Sequence, residues 1–291
     1  MEITADLLLN ALVSGLLLAG FYAAVSVGVS ISFGMLDVVN IAHPAFIVLG
    51  SYIAYFANQL IGADPIITAF VLSPAFFLLG RIMYRIYYYS FEQRGQESLR
   101  GLAFFFGILF ITEVGLILAF GVDYRMVNAG YSAITWRIGF LDLPLRLVIP
   151  FTVSLAMMLG LHYYLSRTFF GRSVLAVAQD PLALQLMGVN PRRVKELAFA
   201  LSIATAGVAG AFLIVIQPVQ PSLGRVYIGL VFAITVLGGM GSIAGAMVGA
   251  AILGIAESFT ATFFGPSWSP AVSFGLLLAA LAFKPSGLLG R

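Results

Sequence analysis

The chain has 291 residues, of which 61% are hydrophobic and only 9% charged, and its mean hydropathy is +1.04. Soluble domains carry about 25% charged residues, so a water-soluble fold of this length is excluded: there is too little charge to cover its surface. The net charge of +3 is not a nucleic-acid footprint, because Lys and Arg gather in a few short stretches between apolar runs, as expected of sorted membrane loops. The absence of cysteine removes disulfides, thiolate catalysis and Cys-ligated metals.

Apolar runs near the ~20 residues that cross a hydrocarbon core occur at about 7–32, 43–61, 65–88, 102–120, 144–165, 196–217, 227–262 and 269–285. They predict an all-α polytopic membrane protein with eight or nine transmembrane segments in a single domain over 1–291. The opening residues MEITADLLLN lack a basic n-region and no small-residue cleavage site follows, so the first helix is expected to be retained. After it, Gly34, Asp37, Asn40, His43 and Pro44 interrupt the apolar pattern. Proline is costly inside a helix but tolerated in the first turn, so Pro44 predicts the start of a helix running to about Leu60.

Arg81, Arg85, Arg94 and Arg100 surround one loop, and Arg167, Arg172, Arg192, Arg193 and Lys195 a second. With Lys284 and Arg291 these make eleven of the fifteen basic residues, which predicts that all three regions face the cytoplasm. The acidic start, Glu2 and Asp6, predicts an N-terminus on the outside. Three crossings then reach the first basic loop and two more the second. The C-terminus returns inside only if 227–262 crosses as two pieces. VLGGMGSIAG supplies that break, through Gly238, Gly239, Gly241 and Ser242, since each glycine costs a helix roughly 1 kcal/mol relative to alanine. Paired Gly/Pro interruptions, one in each half, point to a pathway between two repeats, although ordinary turns at the membrane surface would read the same way.

The segment at about 167–195 is polar, Arg-rich and built of helix formers. Val174, Leu175, Ala178, Leu182 and Leu186 predict one apolar stripe. Asp180 and Pro181 read as an N-cap with proline at the first helical position, and Gly188 as a stop. Asn190 and Pro191 repeat the start signal for the next helix. A helix of about two turns with such firm ends suits a protein groove better than a lipid surface. Its contacts to a partner are expected from Arg172, Asp180, Arg192 and Arg193, with Leu182, Leu186 and Met187 as apolar anchors beside Gly188.

Among charges within spans, Glu113 lies deepest and reads either as lining the pathway or as bonding a neighbouring helix. Asp37, Asn40 and His43 either face a solute or satisfy backbone freed at the break. Glu257 is expected near a helix end at the headgroups and His162 at a helix end at the interface. No histidine has a second ligand at metal spacing, so neither a metal nor a cofactor is expected.

FGMLDVVNIAHPAFIVLGSYIAY resembles the FG-x-x-x-V-x-N-x-AHG-x-x-x-x-LGAY stretch of the shorter, H-type permeases of bacterial branched-chain amino acid ABC importers. The likeness is carried by Phe33, Gly34, Val39, Asn40, Ala42, His43, Leu49, Gly50 and Tyr52. GRSVLAVAQDPLALQLMGVNPRRVKELAFALSIATAGVAG is similar to that family's cytoplasmic coupling loop, and VLGGMGSIAGAMVGAAILGIAES and FKPSGLLGR to its last segments. Pro44 departs from the pattern by replacing glycine, which leaves the solute open among amino acids, amides, urea and organic acids. The resemblance implies an ABC-importer permease fold in the bacterial inner membrane. It also implies two cytoplasmic ATP-binding subunits, a second permease of different sequence and a periplasmic or lipid-anchored solute-binding protein. ATP hydrolysis is expected on the partner, since the only lysines, Lys195 and Lys284, stand outside any GxxxxGK[ST] loop. The competing reading is a single-chain secondary transporter using Glu113. A membrane-embedded enzyme ranks lower, with no GxSxG or HExxH, as does a purely structural scaffold, which needs no Gly-rich breaks.

Overall fold

The computed structural model describes residues 5–95, 99–284 and 286–290; Glu2 and Arg291, used above for topology, lie outside them. The described chain folds into α1 (Ala5–Ser32), α2 (His43–Ile61), α3 (Pro65–Ser90), α4 (Leu99–Phe120), a hairpin of β1 (Thr135–Ile138) and β2 (Leu141–Pro144), α5 (Leu145–Arg167), α6 (Phe169–Gln179), α7 (Pro181–Leu186), α8 (Pro191–Ile216), α9 (Leu223–Gly238), α10 (Ile243–Phe263) and α11 (Ser269–Phe283). Among the described residues eight helices are long and apolar enough to cross a membrane, and α9 is a shorter apolar helix. The expected break within 227–262 is therefore present, with α9 as the short piece.

Local chemistry sets many of these boundaries. Asp64 accepts from the Ile66 amide at 2.8 Å at the start of α3, with Pro65 at its first position. Ser242 accepts from the Gly245 amide at 2.9 Å at the start of α10. Gly62 ends α2 in the left-handed conformation, where a side chain would be strained.

α1 and α8 form the buried centre, and α11 lies at the periphery. Their sequences explain this: both are threaded with Gly, Ala and Ser, which let helix backbones approach closely where apolar surface alone gives no drive to associate. A methyl group on Gly50 would stand 2.7 Å from the Gly207 carbonyl oxygen, so α2 and α8 cross with backbones in contact.

The most extensive helix contacts are α3 with α8 and α1 with α10. Both pairs are antiparallel. Phe76 meets Gly207 and Gly80 meets Ala200, while Gly15 meets Ile255 and Gly34 meets Gly241. The starts of α2 and α9 meet, Gly224 lying against Ala45. These pairings relate α1–α4 to α8–α11 with inverted topology, with α5, α6 and α7 inserted between. In this relation α2 corresponds to α9, so the counterpart of the interruption at 33–42 is the Pro-containing stretch 217–222 rather than the glycine turn at 239–242.

The bundle thus has two chemically distinct ends. One carries α6, α7 and ten of the fifteen Lys and Arg, and is termed the basic end. The other carries the hairpin, where Arg125 and Val219 pair as an isolated bridge.

Candidate coupling helix and membrane sites

At the basic end, Thr168 caps α6 by accepting from the Gly171 amide at 3.1 Å. Asp180 caps α7, its Oδ1 accepting from the Leu182 and Ala183 amides, each at 2.9 Å. Gly188 follows α7 with φ +80°, and Asn190 caps α8 from Oδ1 to the Arg193 amide at 3.3 Å. The expected stops are therefore in place. The single apolar stripe is not: Asp180 is extended and divides it. In α6, Val174 and Val177 are buried against the bundle. In α7 only Leu184 turns inward, at 3% exposure, while Leu182, Leu186 and Met187 are 65%, 82% and 70% exposed. α7 is a short helix pinned by one leucine, presenting three apolar side chains outward.

The arginines around it differ in role. Arg81 and Arg85 each donate Nε to Glu196 Oε1 at 2.9 Å, and this buried carboxylate ties α3 to the start of α8. Lys195 Nζ reaches Glu92 Oε1 at 2.6 Å, and the Tyr84 hydroxyl donates to Glu92 Oε2 at 2.6 Å. Arg192 lies over the Tyr88 and Tyr89 rings at 4.9 and 4.4 Å, a cation–π arrangement that fixes it beside α3. Arg193 is exposed, and Arg172, also exposed, has Nη2 only 3.4 Å from the Arg167 carbonyl.

The two glycine-containing breaks are brought together. Gly34 packs on Gly241 so closely that a side chain at Gly34 would strike the Gly241 backbone. Gly241 and Gly239 have φ of +80° and +107°, conformations available to glycine at little cost. Leu288 and Leu289 donate their amides to the Leu237 and Gly238 carbonyls at 3.0 and 2.9 Å, closing the chain end over this turn. Gly34, Gly241 and Ser242 border a cavity of about 350 Å³ with His162, Ser166 and Gln179. Gly238 is buried at the end of α9.

Asp37, Asn40 and His43 separate. Asp37 is exposed, with φ +57°. Asn40 and His43 are fully buried between α1, α2 and α8. Asn40 Oδ1 accepts from the Ala42 amide at 3.1 Å. His43 Nε2 lies 3.2 Å from the Val25 carbonyl; a carbonyl only accepts, so Nε2 carries the proton and Nδ1 is an acceptor. His43 Nδ1, Asn40 Nδ2 and the Ser30, Ser32 and Ser202 hydroxyls have no hydrogen-bond partner among the described residues. Each such buried group costs about 1–3 kcal/mol, so this seam is polar, closed and incompletely satisfied.

Glu113 on α4 bonds a neighbouring helix: its Oε1 lies 2.8 Å from Nη2 of Arg225 on α9. Arg225 was not singled out from the sequence. It opens an apolar run, and its partner is remote in the chain. Glu257 is a correction. Rather than lying at the headgroups it is buried, with one oxygen accepting from the Tyr22 hydroxyl and the other from Ser273. α1, α10 and α11 enclose it because two hydroxyl donors replace water there.

Compared with known proteins, residues 11–281 match the family profile described as the permease component of the branched-chain amino acid transport system. The high-affinity branched-chain amino acid transport system permease protein BraD of Pseudomonas aeruginosa is 30% identical over 97% of this chain and 96% of its own length. The corresponding LivH of Escherichia coli is 29% identical over the same shares. LivM of E. coli is 31% identical over 50% of this chain and 35% of its own length. No solved structure matches.

Proposed function

We propose, on the premise that the chain belongs to the family of branched-chain amino acid transport permease components, that it is the membrane subunit of an ATP-driven importer. The basic end faces the cytoplasm and the hairpin end faces outward, in the bacterial inner membrane. Two ATP-binding subunits dock at the basic end. A second permease of the LivM kind completes the pathway, and a separate binding protein delivers the solute. The cargo is a branched-chain amino acid or a related small polar solute, moved inward by alternating access.

The observation that carries this reading is α7. A short helix with Leu182, Leu186 and Met187 outward would gain by burying them, and a groove on a partner protein does so at helical spacing. Exposed Arg172 and Arg193 flank it, and arginine concentration at that end favours the cytoplasmic side. The test is affinity purification from the native membrane in mild detergent. Recovery of one or two Walker-motif ATPases with a second permease is the expected result. A chain that emerges alone, even after crosslinking, would favour a single-chain secondary transporter built around Glu113.

A further inference from the structure

We propose that Glu113 and Arg225 together form a site for a zwitterion, binding the carboxylate and ammonium groups of an amino acid as it passes between α4 and α9; this rests on the transport reading above.

Depth is the first argument. Glu113 stands seven residues before the end of α4, roughly 10 Å inside the bundle at 1.5 Å per residue. Arg225 is not at a bundle end either, because the adjacent Gly224 packs on Ala45, next to the buried His43–Pro44 start of α2. Ionised side chains at such depth face the bundle interior or a water-filled cavity. Glu113 is 7% exposed but its guanidinium partner 51%, so this ion pair is open on one side. A half-open arginine against lipid would be costly; against an aqueous pathway it is stable.

Charge is the second. The pair is neutral as a unit, and so is an amino acid. Inserting the solute lets its carboxylate take free guanidinium N–H groups while its ammonium takes the second Glu113 oxygen. Two ion pairs are added to the one already present, and no net charge enters the membrane. Arg225 also lies 5.8 Å over the Phe110 ring, and exposed Val114 and Val226 stand beside the two charged residues in sequence. The exposed Phe110 ring beside the charge pair supplies apolar surface for an aliphatic side chain.

The test uses the assembled complex in proteoliposomes, with ATP inside and binding protein outside. Wild-type complex without ATP-dependent amino acid uptake would overturn the transport reading itself. Given wild-type uptake, Glu113→Gln and Arg225→Gln should each lower it at least tenfold with the ATP-binding subunits still attached. The exchange Glu113→Arg with Arg225→Glu separates a substrate site from a structural clasp. A clasp is rescued by exchange, so restored uptake would overturn the proposal, and continued loss supports it. Because the chain has no cysteine, Val226→Cys gives a readout independent of transport. It should react with a charged, water-soluble methanethiosulfonate and be protected by amino acid. A thiol that stays unreactive, because the second permease seals the α9 face, would overturn the site.

Discussion

Asn40 uses its side-chain oxygen to hold the Ala42 amide, and its two N–H groups find no partner among the described residues in a closed seam. A group that is unsatisfied in one conformation favours any other that wets it or supplies an acceptor, so the seam is biased toward opening. Asn40→Leu removes that bias along with a turn hydrogen bond. Uptake is expected to fall while the ATP-binding subunits still co-purify; unchanged transport would take Asn40 out of the moving parts. Gly210 sits where a side chain would run into the Ile47 carbonyl. Gly210→Val should cost more than the roughly 1–3 kcal/mol of ordinary overpacking, because the obstacle is backbone that cannot change rotamer. Yield of monodisperse protein in detergent measures this.

At the scale of elements, caps and stops were legible because they are local: Asp180, Asn190 and Gly188 each act within three residues of themselves. What escaped depends on partners distant in sequence. The stripe from Val174 to Leu186 looked continuous, yet an extended Asp180 sends α6 inward and α7 outward. Glu257 looked like a headgroup residue until α11 brought Ser273 beside it. The hairpin escaped as well: its strands are only four residues each, too short for the alternation of Trp136 and Ile138 with their partners Leu143 and Leu141 to stand out. The division within α7 gives paired predictions. Leu182→Asp with Leu186→Asp should leave the permease folded but detach ATP hydrolysis from uptake, seen as basal ATPase activity without transport. Leu184→Ala should instead loosen α7 from the bundle at a cost of about 2–5 kcal/mol, seen as increased protease cleavage between Asp180 and Gly188.

For the whole molecule, counting charged loops asks for nine crossings; among the described residues eight helices are long enough to span and α9 is shorter, so the proposed orientation requires α9 to count as a crossing. The inverted relation between α1–α4 and α8–α11 was not visible as sequence identity. It lies in which helices touch, and small residues make the contacts on both sides. The orientation is testable with single cysteines in the cysteine-free chain. Thr135→Cys in the hairpin should be labelled by an impermeant maleimide from outside intact cells, and Leu186→Cys only after the membrane is opened. The reverse pattern would invert the proposed topology.

α8 begins three residues beyond Gly188 and runs 26 residues through the centre, about 39 Å at the helical rise. Gripped along its length by close-packed neighbours, it would act, on the proposed coupling, as a stiff pushrod driven through the short helix before it. At Gly207 and Gly210 it bears on α2 backbone to backbone, with no side chain between to absorb slack. A stroke delivered at Pro191 would therefore arrive at the start of α2 almost undiminished. On the proposed coupling, the protein would have one input shaft with a hard bearing about two thirds of the way along, and any larger residue placed in that bearing would jam it.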